Sequence, residues 1–189
     1  GGVNLPDPAY LRAVRKLCDR EGLLLIFDEV QVGMGRTGRL FAHEHYGVAP
    51  DIMTLAKALA GGLPAGAMLA NNKVAGGFTP GSHASTFGGN PVAMAAGVAV
   101  MRELLESGVL ENCRKTGDYF IRRLGELRER YPGLVRQVRG KGLIIGMELA
   151  VDGREIVSRC LKNGIIINCT LDRVLRFLPP LKIGTAAVD

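Results

Sequence analysis

Two acidic residues, one lysine, one small-residue loop and one arginine carry the chemistry that this sequence could do. The stretch "LLLIFDEVQVGMGRTGR", Leu23 to Arg39, runs an apolar segment straight into Asp28 and Glu29, then into a glycine-rich basic loop. A strand that only fills a core has no need of that ending. Lys57 lies in "TLAKALAGG" with no acidic residue among its immediate neighbours. Such a lysine either snorkels from an amphipathic helix or sits in a dry pocket as a nucleophilic amine. "GSHASTFGGNP", Gly81 to Pro91, offers hydroxyls and backbone N–H groups to an anion. Arg176, inside "VLRFLPP", either faces water at a strand edge or waits for a carboxylate to hold by two parallel hydrogen bonds.

One cofactor needs three of these features together. Pyridoxal phosphate is an aldehyde that forms a Schiff base with a lysine amine. It also takes a carboxylate on its pyridinium nitrogen, and its phosphate takes hydroxyl and N–H donors. Lys57, Asp28 and the loop from Gly81 to Asn90 meet those needs in turn. The rival reading of an apolar strand ending in Asp-Glu is the magnesium-handling strand of a P-loop ATPase. It requires a G-x-x-x-x-G-K-[ST] loop, and the only Gly-Lys pair, Gly140-Lys141, is followed by Gly142. That rival survives only if the loop lies outside these residues. His43 and His45 would share one face of an extended segment, but no third ligand is nearby and no metal site is expected. The arginines between Arg122 and Arg130 alternate with Glu126 and Glu129, which reads as a solvated helix face.

The elements that must hold these residues follow from pattern. Asp7-Pro8 caps a helix whose apolar positions are Leu11, Val14, Leu17 and Cys18, with Gly22 as its stop. Leu23 to Phe27 reads as a strand buried on both faces of a parallel sheet, with Asp28 at its carboxyl end, where ligands sit in open α/β sheets. Ile52 to Leu59 is a second apolar stretch and Ala65 to Ala70 another strand. Pro91 starts a long helix reaching about Leu105. A second helix carries Leu110, Cys113, Phe120, Leu124 and Leu127 on one face and ends at "YPG", Tyr131 to Gly133. Short strands at Val135–Val138, Leu143–Leu149, Ile165–Ile167 and Val174–Leu178, with a helix at Arg154–Leu161, complete a smaller α+β unit. The boundary is expected near Ser107-Gly108, giving residues 1–107 to one domain and 108–189 to the other.

Bulk properties narrow the class. The chain has 189 residues, 47% of them hydrophobic, which is room for a core. Tryptophan is absent and aromatics are 5%, which argues against a stacking platform for single-stranded nucleic acid. The net charge of +6 suits an anionic ligand or a nucleic acid, or follows from where the chain is cut. No apolar run approaches the length of a membrane span, and no signal-peptide pattern is present. The four cysteines share no metal spacing and read as buried small hydrophobes in a reducing cytoplasm. The chain opens on Gly1-Gly2-Val3 and closes on "IGTAAVD", so a piece of a longer protein is expected.

The stretch "FDEVQVGMGRTGRLFAHEHYGVAPDIMTLAKALAGGLPAGA" resembles the central signature of the ornithine-type, class III aminotransferases, which use pyridoxal phosphate. "GSHASTFGGNP", "INCT" and "LRFLPPL" resemble the acetylornithine branch of that family. The resemblance covers essentially the whole chain. It implies part of the large cofactor-binding domain of a fold-type-I enzyme, a mostly parallel sheet with helices, followed by a small C-terminal α+β domain whose last helix is cut short. It implies that Asp28 pairs with the ring nitrogen, that Gln31 bonds the ring's 3-oxygen and that Lys57 carries the cofactor. Thr86 would bind the phosphate held by the neighbouring subunit of a homodimer, Ser85 would lie near the substrate, and Arg176 would hold an α-carboxylate.

The implied reaction moves the terminal amino group of N-acetylornithine to 2-oxoglutarate, giving N-acetylglutamate semialdehyde and glutamate in arginine biosynthesis. The alternatives are another ω-amine donor (ornithine, succinyl-diaminopimelate or 4-aminobutyrate) or an inactive fragment that only binds partners. The family's phosphate-binding glycine loop, stacking aromatic ring and further substrate arginine are not in this sequence, so the chain alone is expected to be inactive. Neither nucleic acid nor membrane is an expected partner.

Overall fold

The computed structural model describes residues 1–189 and divides them into two compact units, Pro6–Val109 and Leu110–Asp189, the latter joined by Gly1–Leu5. The chain changes unit between Val109 and Leu110, two residues beyond the expected Ser107-Gly108, and its first five residues belong with the second unit rather than the first.

In the first unit, helix α1 (Pro8–Glu21) begins at Asp7, whose side chain accepts from the Ala9 N–H, and ends at Gly22 in the left-handed conformation. Cys18 is buried, with Leu11 and Val14 partly so, against Leu25 and Val48, whereas Leu17 stays 44% exposed. Strand β1 (Ile26–Asp28) pairs in parallel with β2 (Ile52–Leu55), and β2 pairs antiparallel with β3 (Ala67–Ala70). The sheet order is β1-β2-β3. Within this chain the sheet is therefore mixed, one parallel pair and one antiparallel pair.

β1 starts later than the apolar run suggested, for a local reason. The Leu23 N–H bonds back to the Cys18 carbonyl as part of the helix stop, and the Leu25 N–H is taken by the Asp51 carboxylate. The expectation of burial on both faces fails here: Leu24 is 50% and Ile26 56% exposed, and only Leu25 is buried. β1 is an edge strand with β2 as its one neighbour. A short helix α2 (Asn72–Ala75) follows β3, and α3 (Pro91–Glu106) follows the Gly/Ser/Thr loop, capped by Asn90, whose side chain accepts from Val92 and Ala93 N–H groups.

In the second unit, α4 (Val109–Arg130) packs on a four-stranded antiparallel sheet in the order β4-β5-β7-β6. The strands are β4 (Val135–Lys141), β5 (Ile144–Leu149), β6 (Asn168–Thr170) and β7 (Val174–Phe177), with α5 (Arg154–Lys162) between β5 and β6. α4 comes so close to the β4–β5 turn that a Cβ at Gly117 would lie 2.3 Å from the Gly142 carbonyl oxygen, so only glycine fits there. Ile145, Leu149 and Leu175 are fully buried with Leu124 and Val135, and Phe120 and Phe177 close the core. The strand expected at Ile165–Ile167 lies instead at Asn168–Thr170, because the Ile165 N–H still caps α5 through the Cys160 carbonyl. The Gly1–Leu5 segment is strapped to this unit by Arg139, which donates to the carbonyls of Gly2 and Val3 and also pairs with Glu148.

Candidate active site

The carboxyl ends of β1 and β2 bring the acid and the amine to the same sheet edge. Asp28 is the last residue of β1 and faces Thr54 in the parallel register; Lys57 follows two residues after β2 ends. Adjacent strands lie about 4.8 Å apart, so both side chains leave neighbouring strand ends at the edge where open α/β sheets bind ligands.

Asp28 is exposed and accepts the Val30 N–H at 2.9 Å through Oδ1, which leaves Oδ2 open. Lys57 opens a 3-10 turn, Lys57–Ala60, with φ of 48°. A side-chain-bearing residue in the left-handed region costs about 1–2 kcal/mol. Strain of this kind clusters at active sites and ligand clamps, where the surrounding structure holds it in place. Lys57 is exposed, forms no ion pair, and stands on a single turn rather than on an amphipathic helix. That removes the setting in which a snorkelling lysine covers apolar surface. α3 supports the turn: a Cβ at Gly97 would meet the Leu59 carbonyl at 3.4 Å, so the helix runs close past it.

Gln31 is half-buried in the turn that follows β1. Ser85 and Thr86 are exposed in the loop ahead of α3, where the Gly88 N–H bonds the Ser85 carbonyl. All five of these residues belong to the first unit. Arg176 belongs to the second, on β7, an interior strand between β5 and β6. Its Nε is buried and has no hydrogen-bond partner. An orphaned guanidinium N–H on an interior strand goes against the reading of an edge residue facing water, and it is the state expected of a group that takes a carboxylate.

The histidine pair does not lie on a strand. His43 and His45 stand on a 3-10 turn, Ala42–His45; His43 Nδ1 lies 3.1 Å from Glu29, and His45 Nε2 reaches the Thr37 hydroxyl and carbonyl. No group of three or more metal-ligating side chains is present. No helix is long and apolar enough to cross a membrane.

Two carboxylates make structural contacts that the sequence did not reveal. Glu29 is 3% exposed and turns away from Asp28 into the Ala42–His45 turn. Strand alternation alone would have placed the two carboxylates on opposite sides. Asp51, at the start of β2, accepts the Leu25 N–H, the Arg15 guanidinium and the Asn71 amide at 2.7–2.9 Å. The Leu25 N–H, then Arg15, hold its carboxyl below the usual aspartate range. No motif marks it; its signal is only a carboxylate directly before an apolar strand.

The donors present fit pyridoxal phosphate: a strained amine without an ion pair, a carboxylate with a free oxygen at the neighbouring strand end, and the exposed hydroxyls of Ser85 and Thr86. The aminotransferase class-III model matches residues 1–189. The chain is 51% identical over 192 residues to acetylornithine aminotransferase of Methanocaldococcus jannaschii, covering 100% of this chain and 47% of that protein. It is 51% identical over 190 residues to the acetylornithine aminotransferase of Caldanaerobacter subterraneus, covering 100% and 48%.

Among solved structures, N-acetylornithine aminotransferase from Stenotrophomonas maltophilia matches with a TM-score of 0.88 at 38% identity, covering 100% of this chain and 50% of that one. The ornithine aminotransferase from Plasmodium yoelii matches with a TM-score of 0.92 at 38% identity, covering 99% and 51%. The chain thus spans about half the length of the curated relatives it matches. With the mixed α/β unit, the smaller α+β unit and a family match that runs from end to end, this chain belongs to the class-III aminotransferases.

Proposed function

We propose that this chain is the lysine-bearing half of a pyridoxal-phosphate-dependent transaminase that moves the terminal amino group of N-acetylornithine to 2-oxoglutarate. The products are N-acetylglutamate semialdehyde and glutamate, a step of arginine biosynthesis. The observation that carries the reading is the pairing of Asp28 and strained Lys57 at the carboxyl ends of adjacent parallel strands. The names of the relatives supply the donor.

When bound, the cofactor supplies an aldehyde carbon for the amine and a ring that takes up electron density from the substrate. Asp28 holds the proton on the ring nitrogen with its free carboxylate oxygen. Gln31 donates to the ring oxygen. Lys57 Nζ would be the covalent anchor and, once released from it, the acid–base group that takes the proton from the amine-bearing carbon of the donor. Arg176 grips an α-carboxylate through two parallel N–H donors, and Ser85 lies beside the substrate. Thr86 bonds the phosphate held by the second subunit of a homodimer, so each site takes groups from both chains. The four free thiols accord with a cytoplasmic setting.

A second reading, ornithine as donor, is favoured by the Plasmodium yoelii structure, whose name is ornithine aminotransferase. One experiment separates these readings. The full-length protein, with and without Lys57→Ala, is given pyridoxal phosphate, and its visible absorbance and its turnover of N-acetylornithine, ornithine and 4-aminobutyrate are measured. The expected result is a visible band and a preference for N-acetylornithine in the parent, and neither band nor turnover in the variant. A variant that keeps both would overturn the assignment of Lys57, and a preference for ornithine would move the reading to the second donor.

A further inference from the structure

Glu29 is the most buried carboxylate in the molecule, and the transaminase reading gives it nothing to do. Its two oxygens take three donors: the Ala42 N–H at 2.8 Å on Oε2, and the His43 N–H at 2.8 Å and His43 Nδ1 at 3.1 Å on Oε1. A carboxylate only accepts, so Nδ1 carries the proton that bridges them. The His43 ring stacks on Phe41, with centroids 5.8 Å apart and planes 9° from parallel, and touches the Phe27 ring of β1 at 6.2 Å.

The backbone of Glu29 is held as firmly as its side chain. Its N–H bonds the Thr54 carbonyl of β2 at 3.0 Å, and its own carbonyl accepts the Gly33 N–H at 2.9 Å. A Cβ at Gly33 would sit 2.8 Å from that carbonyl oxygen, so the loop turns there only with glycine. The same short turn reaches the loop's far end, where His45 Nε2 bonds the Thr37 hydroxyl and carbonyl at 3.0 and 3.1 Å. Two histidines of one turn thus hold both ends of the Glu29–Gly38 loop.

We propose that Glu29 is a positioning residue: its clasp on the Ala42–His45 turn fixes the backbone from Asp28 to Gln31, and so aims Asp28 and Gln31 at the cofactor ring. The inference rests on the transaminase reading for the identity of what is aimed at, though not for the clasp itself. Asp28 precedes Glu29 and points to the opposite side, so a rotation of one is a rotation of the other. Binding groups must be held to about 0.5 Å and 10–20° to act, and the locking falls to residues behind them. A buried ionised group is a weak source of stability compared with well-packed apolar side chains. Orientation is the task that suits this one.

The test compares Glu29→Gln, Glu29→Asp and Leu25→Ala in the full-length protein. Gln keeps the shape but turns an NH2 group toward an N–H donor; Asp keeps the charge but falls one methylene short. Leu25→Ala removes a buried apolar side chain of the same unit and serves as the purely structural control. Three readouts are taken: the dissociation constant of pyridoxal phosphate on reconstituting the cofactor-free protein, the pH midpoint of the bound cofactor's visible absorbance, and amide hydrogen exchange from Val30 to Gly33 without cofactor.

Glu29→Gln is expected to weaken cofactor binding about tenfold, as when an outer partner that orients a ligand-holding group is lost. It should also shift the midpoint and speed exchange at Val30–Gly33, with partial recovery in Glu29→Asp. Leu25→Ala should lower the melting temperature and leave the midpoint in place. If Glu29→Gln lowers the melting temperature as Leu25→Ala does while affinity and midpoint stay at the parent values, Glu29 is merely structural and the proposal is overturned. Should the parent protein give no visible band at all, the transaminase reading fails separately. Exchange then decides the clasp: amides of Val30–Gly33 as slow in Glu29→Gln as in the parent would overturn it.

Discussion

The two units bury their sheets to very different degrees. In the second, β5 is buried along almost its whole length, Ile145 and Leu149 completely so, under α4 and the strap at Gly1–Leu5. In the first, which bears Asp28 and Lys57, β3 is largely exposed, β1 has one free edge, and Phe87 (82%) and Val92 (68%) stand in water around the start of α3. The half that bears Asp28 and Lys57 is the half whose sheet is less covered, although exposed apolar side chains occur in both, with Ile166 at 87% and Leu171 at 71% in the second. A sheet buried on one side only cannot fix strand ends to the tolerance a catalytic site needs, and an unpaired hydrophobic edge is a template for association. From this difference we expect the site-bearing unit to need further chain to hold its strand ends, more than the second unit does.

The largest expected effect tests that dependence directly. The 189-residue chain, purified beside the full-length protein, should show no transaminase activity, bind pyridoxal phosphate far more weakly and form higher-order species in sedimentation. Limited proteolysis should cut it first in the Gly81–Asn90 loop and around Leu23–Leu24, leaving the fragment from β4 to β7 intact. Comparable cofactor affinity and turnover in the two samples would break the comparison, because the open surface of the first unit would then be of no consequence.

Next comes a pair of exposed aspartates, one per unit. Asp28→Asn in the full-length enzyme removes the charge that holds the ring nitrogen's proton, and turnover should fall about a hundredfold to a thousandfold, as when a preorganised electrostatic group is lost. Asp152 is equally exposed, and the Arg154 N–H, then its guanidinium, hold its carboxyl below the usual range. Asp152→Asn should leave turnover unchanged. Equal losses in both would mean that fold, rather than chemistry, accounts for the first.

A third pair concerns packing. Leu149→Ala should cost about 2–5 kcal/mol in urea unfolding, since a fully buried leucine leaves a cavity. Leu24→Ala, half exposed, should shift stability of this chain by no more than about 0.5 kcal/mol. The comparison sharpens if Leu24→Ala becomes costly in the full-length protein, for that would show its face covered there.

What was legible in the sequence followed from local signals. Asp7-Pro8 and Pro91 marked two helix starts, and Gly22 one stop, because helix ends are chosen by adjacent residues. Lys57 and Asp28 were legible as chemistry through their neighbours. The beginnings of β1 and β6 were not, because Leu23 and Ile165 spend their N–H groups on the preceding helix, and apolar periodicity does not record where a hydrogen bond goes. Nor was the burial of β1, which depends on strands outside the run itself. The roles of Glu29 and Asp51 depend on partners 13 to 36 residues away, and no spacing rule reaches that far.

Asp51 supplies the smallest expected effect and a pH test of the same contrast. Its carboxylate joins α1, the start of β1 and the residue after β3, through Arg15, the Leu25 N–H and Asn71. The side chain is 16% exposed, whereas the depressed carboxylates of the second unit, Glu111, Asp152 and Asp189, are 56%, 51% and 46% exposed and so contribute little through their ion pairs. Because the folded protein lowers Asp51 below its unfolded value of about 3.9, its contribution is complete above that value and is lost as pH falls through the lower, folded one. Acid should therefore loosen the first unit before the second. Melting temperature followed from pH 6 to about 2 (below the unfolded value) should fall less steeply below pH 4 in Asp51→Asn than in the parent, from a lower starting point at pH 6. Region-resolved hydrogen exchange should show β1 and β2 opening ahead of β5. Identical slopes in the two proteins, or β5 opening first, would mean that the second unit is the acid-sensitive half and that the knot at Asp51 is not what holds the first together.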